Sequence, residues 1–63
     1  MFSKNKVIEV NVDGVNYRYS HAEGTVHKEE EGRWMMFCKL SVADVPSKEY
    51  LANDIRFRNM YSE

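Results

Sequence analysis

Between Lys6 and Ser20 apolar and polar residues alternate with the two-residue period of a half-buried strand, interrupted once, at Asp13-Gly14. An Asp-Gly pair suits the two positive-φ positions of a type I′ turn, whose twist matches a tight hairpin. With that turn as pivot, Val12 faces Val15, Val10 faces Tyr17 and Ile8 faces Tyr19, and these residues share one side of the pleat. The other side carries Glu9 opposite Arg18 and Asn11 opposite Asn16, a polar face with a cross-strand ion pair. Turn chemistry, hydrophobic parity and charge pairing agree on a β-hairpin over residues 6–20.

The pattern then loosens. Gly24 is expected to break or bulge the chain, residues 25–28 can form a short strand, and Glu29 to Gly32 reads as a turn or loose loop. A four-residue loop pairs Val26 with Met35, and a loop one residue shorter pairs it with Trp34; the two registers put Val26 on opposite faces. The densest apolar stretch follows, and strand period over residues 33–42 assigns Trp34, Met36, Cys38, Leu40 and Val42 to one face. That face continues the core side of the hairpin. Arg33, Met35, Phe37, Lys39 and Ser41 are left on the other, so Met35 and Phe37 stand as an apolar pair on a polar face beside Arg18 and Lys39.

From Ala43 onward the signals are helical. Asp44 or Ser47 can cap, Pro46 suits a first turn, Glu49 lies early and Arg56 and Arg58 lie late, where the helix dipole favours an acid and bases respectively. A helix from about Pro46 to about Asn59 sets Leu51 and Ile55 one turn apart to cover the sheet, flanked by Tyr50, Phe57 and Tyr61. Ile55-Arg56-Phe57-Arg58 also alternates like a strand, so a shorter helix followed by a last strand is the competing arrangement. These segments predict a single α+β domain over residues 1–63: a small antiparallel sheet of three to four strands with one C-terminal helix packed on one face. One helix covers one face only.

Composition narrows the function classes. A 63-residue chain buries a small share of its surface, so an accessory pocket competes with the core for the same few apolar side chains. With 43% hydrophobic and 30% charged residues the chain has a globular rather than a disordered composition. Nine Lys and Arg against ten Asp and Glu leave a formal net charge of -1, which supplies no overall field for gripping phosphate backbones. The lone cysteine, Cys38, forms no intrachain disulfide, and the opening residues carry no apolar run of signal-peptide length; both point to a cytoplasmic, soluble protein.

Candidate chemistry is sparse. His21 and His27 lie six residues apart near Glu23 and the Glu29-Glu30-Glu31 run, a spacing unlike the close pairs of recognisable metal sites. Cys38 could serve as a nucleophile with either histidine, but its parity sends it into the core. Gly14, Gly24 and Gly32 are too scattered to cradle a phosphate. No catalytic set, metal site or cofactor is therefore expected. The expectation is a non-catalytic protein-binding module, self-associating as a homodimer or regulating or inhibiting a larger host protein in the manner of phage and mobile-element accessory proteins. The expected partner-binding residues are Met35, Phe37, Arg18, Arg33 and Lys39, with an edge strand as a second route. The same basic and aromatic set defines the alternative, a single-stranded nucleic-acid-binding module.

Overall fold

The structure, a computed structural model, describes residues 6–61. Strands β1 (Val7–Val12), β2 (Val15–Ser20), β3 (Thr25–Glu30) and β4 (Arg33–Lys39) form an antiparallel sheet in the order β1-β2-β3-β4, and helix α1 (Lys48–Tyr61) packs on one face of it. The expected α+β architecture is present with its full set of strands.

The first hairpin has the register that its sequence dictates. Ile8 pairs with Tyr19, Val10 with Tyr17 and Val12 with Val15, around a turn in which Asp13 and Gly14 have φ of 54° and 85°. Glu9 and Arg18 meet at 3.1 Å, and Asn11 donates to Asn16 at 2.9 Å while its own side-chain oxygen accepts from the Gly14 amide at 3.1 Å. Asn11 thus ties the turn to the polar face.

The second hairpin departs from the expectation. Glu29 and Glu30 belong to β3, and the connection is a two-residue turn, Glu31-Gly32, with φ of 54° and 79°. Val26 consequently pairs with Cys38 and not with Met35 or Trp34. Between Val26 and His27 the register shifts: His27 pairs with Met36, so Phe37 is an extra residue on β4, a β-bulge. A bulge reverses the alternation for everything before it. Cys38 keeps the core side, but Trp34 and Met36 turn to the face opposite the helix, and Met35 and Phe37 turn towards it. The assignment of Trp34 and Met36 to the core and of Met35 and Phe37 to the outer face is corrected accordingly. β4 also ends at Lys39, short of Val42, because the Leu40 amide leaves the ladder to donate to the Gly24 carbonyl at 2.8 Å.

Ser47 caps α1: its hydroxyl accepts from the Tyr50 amide at 3.1 Å and its carbonyl from the Leu51 amide at 3.0 Å. The helix runs unbroken to Tyr61, so the competing last strand is absent among the described residues. It lies closest to β1. Leu51 and Ile55 are fully buried against Ile8, Val12, Tyr17, Tyr19, Val26 and Leu40, each contributing on the order of 1.5–3 kcal/mol of apolar burial. Because α1 favours the β1 side, the helix-facing side of β4 is only partly covered.

Candidate protein-binding surface

The face opposite the helix is built from alternate residues of all the strands. Across its centre run Glu9, Arg18, His27 and Met36, and beside them Asn11, Asn16, Glu29 and Trp34. Arg18 is the pivot. Its Nε donates to Glu9 on β1, and its guanidinium lies 4.3 Å from the centroid of the Trp34 ring on β4, spanning the sheet from one edge strand to the other. Asn16 donates to Glu29 at 3.1 Å, extending the polar ties from β1 to β3. A shallow depression lined by Val7, Arg18, Ser20, Glu23, His27 and Trp34 opens beside this network.

β4 carries the largest share of the exposed apolar surface on the sheet. Trp34 is 36% exposed, Met35 48% and Met36 53%, and they project from both faces of one edge strand. Phe37 is the exception. Its ring stands edge-on to Tyr17 with centroids 5.1 Å apart, half-buried, with the Lys28 ammonium 5.8 Å from its centroid. The residues expected to form one contact patch are therefore divided: Arg18 and Lys39 lie on the open face, whereas Arg33, Met35 and Phe37 belong to the helix side. Trp34 and Met36, read as core in the sequence, join Arg18 instead. The signal that places them is Glu31-Gly32. Taken as a two-residue turn, it pairs Glu29 with Trp34 and thereby sets Trp34 on the Arg18 side.

A second apolar area lies on α1, where the Phe57 and Tyr61 rings meet in a tilted arrangement with centroids 4.7 Å apart and are 60% and 69% exposed. Together with the Asp54–Arg58 ion pair at 2.8 Å they line a groove along the helix flank.

The residues singled out for chemistry are dispersed. His21, in the β2–β3 connection, pairs through Nδ1 with the hydroxyl of the fully buried Tyr19 at 2.6 Å, while His27 sits on the open face. Among the described residues no group of three His, Cys, Asp or Glu side chains is placed to hold a metal ion. Burial pushes the Cys38 thiol up from its ordinary range, with nearby Arg58 opposing and Asp54 adding to the shift. At neutral pH Cys38 is protonated and a poor nucleophile. Burial likewise raises the Tyr19 phenol.

No family model matches the chain, and neither a curated protein nor a solved structure matches it.

Proposed function

We propose that this protein is a non-catalytic protein-binding module whose contact surface is centred on β4. The observation that carries the reading is an edge strand holding Trp34, Met35 and Met36 outward on both of its faces. Edge strands are ordinarily blunted by charges or covered, because their free backbone groups recruit other strands. Here the charges, Arg33 and Lys39, stand only at the ends. Trp, Met and Arg are the residue types enriched at the cores of protein interfaces, and Arg18 stacked on Trp34 brings them together.

A reducing, cytoplasmic setting agrees with the single unpaired thiol. No described helix is long and apolar enough to cross a membrane.

Arg18 over Trp34 on a sheet face also favours a second reading, a platform for unpaired bases. Charge weighs against it. Glu9 neutralises Arg18, Glu29 lies on the same face, and Arg33 is on the other side of the sheet. Phosphates approaching this face would meet carboxylates.

The test is affinity capture from the native cell with wild type and with Trp34→Lys/Met36→Lys, both checked for folding by circular dichroism. A protein retained by the wild type and lost by the folded variant is the expected result. Equal retention by both would contradict the reading. Quenching of Trp34 by a single-stranded oligonucleotide at low salt, weakening steeply as salt rises, would favour the alternative.

A further inference from the structure

We infer that Asp13-Gly14 is a site of spontaneous covalent isomerisation to isoaspartate, and that Asn11, oriented by a hydrogen-bond relay from Glu29, restrains the reaction while the first hairpin is folded. The inference goes beyond the protein-binding reading and does not depend on it.

The chemistry needs only the chain and water. The Gly14 amide nitrogen loses its proton and attacks Cγ of the Asp13 carboxyl; the new N–Cγ bond closes a five-membered imide as one carboxyl oxygen leaves as water. Water then adds back to the imide. Opening at the former main-chain carbonyl leaves the chain running through Cβ and Cγ with a free α-carboxylate, so the net change is a rearrangement. An Asp-Gly pair is open to it because no Cβ on the glycine obstructs the approach. Asp13 and Gly14 are both exposed, and a Cβ added at Gly14 would meet nothing within 4 Å, so water reaches the turn freely.

The hydrogen bond on the nucleophile opposes the attack. The ladder of a two-residue hairpin makes no use of the amide of the second turn residue, and here that amide donates to Asn11 Oδ1 at 3.1 Å. The bond keeps the proton on nitrogen and holds the peptide plane in the turn, whereas attack requires the nitrogen to lose that proton and the plane to rotate.

The direction of this bond is set from β3. The Glu29 carboxylate only accepts, so Asn16 turns its amide nitrogen to Glu29 Oε1 at 3.1 Å and its oxygen to Asn11. Asn11 then donates through its own nitrogen at 2.9 Å, which leaves its oxygen for the Gly14 N–H. An acceptor at one end and a backbone donor at the other give each amide one satisfying orientation. Glu31-Gly32 is the internal control. It takes nearly the same φ values, 54° and 79°, but a glutamate must close a six-membered ring, a slower reaction. Isomerisation at Asp13 inserts one carbon into the main chain of the turn that sets Glu9 opposite Arg18, and so removes the pivot of that register.

The test ages the folded protein at neutral pH beside its excised tryptic peptide of residues 7–18. Isoaspartate is scored as resistance to an endoproteinase that cuts before aspartate, and residue-resolved amide exchange is followed in parallel. The protein should accumulate isoaspartate about fivefold or more slowly than the peptide, the factor that one hydrogen bond of ordinary net strength represents. Asn11→Ala should regain about that factor, with faster exchange at the Gly14 amide and unchanged exchange at Val10 and Tyr17, which pair across the hairpin. Glu29→Lys puts a donor where the acceptor stood, turns both amides over and should isomerise as fast as Asn11→Ala. Equal rates in protein and peptide, or an Asn11→Ala rate equal to that of the wild type, overturn the inference. So does an acceleration matched by faster exchange at Val10 and Tyr17, since loosening of the hairpin then accounts for it. A Glu29→Lys rate equal to that of the wild type overturns the relay.

Discussion

Tyr19 is fully buried, and its hydroxyl is satisfied by a histidine two residues away at 2.6 Å. A phenol in that position needs a partner, since an unpaired buried hydroxyl costs about 1–3 kcal/mol. His21 therefore serves the core by pairing with this hydroxyl. His21→Ala is expected to destabilise the fold by about 1–2 kcal/mol in urea denaturation, and the loss should shrink in a Tyr19→Phe background, where no hydroxyl is left unpaired. An equal loss in both backgrounds would mean that His21 contributes something other than this hydrogen bond. Glu31 is the residue at which sequence and structure part. Asp13-Gly14 announces a type I′ turn because Asp tolerates positive φ; Glu31 takes the same φ of 54° without a side chain that favours it. Its conformation is imposed by the pairing of β3 with β4, so nothing local in the acidic run marks it as the pivot of a tight hairpin.

That one turn governs the elements. The first hairpin was fully legible from period, turn and charge pairing, and α1 was legible from its cap residues, with Ser47 rather than Asp44 accepting the amide. β4 was legible as a strand but not in its sidedness. A bulge adds one residue without any compositional mark when the surrounding residues are all apolar, as Trp34 to Cys38 are. The two periodicities then compete on equal terms, and the packing of Phe37 on Tyr17 decides between them. The Met and aromatic cluster on β4 was legible in kind, while its residues were exchanged between the faces. Phe37→Ala should accordingly cost about 2 kcal/mol through lost burial and the edge-on ring contact. Trp34→Ala should cost less than about 1 kcal/mol, as surface substitutions do. Paired denaturation curves, collected at concentrations where the chain is monomeric, measure the order. The reverse order would restore the unbulged strand.

At the scale of the molecule, a meander of strands with one helix leaves more surface than its own chain can cover. α1 lies towards β1, so the protection that it gives the sheet fades towards β4. In a domain of this size a single core supplies no more than about 3–5 kcal/mol of stability, which leaves little to spend on exposing a tryptophan and two methionines without use. Their position on one free edge, framed by Arg33 and Lys39, is the reason to read the exposed strand as a contact surface. Residue-resolved amide hydrogen exchange along β4, for the protein alone and with the captured partner, tests this most directly. In the free protein the Arg33 and Met35 amides, bonded to β3, should be protected, and the Trp34 and Met36 amides, aimed outward, should exchange freely. Adding the partner should protect Trp34 and Met36 selectively. Uniform protection along β4 in the free protein, or exchange at Trp34 and Met36 that is indifferent to the captured partner, would contradict a free edge that functions by pairing.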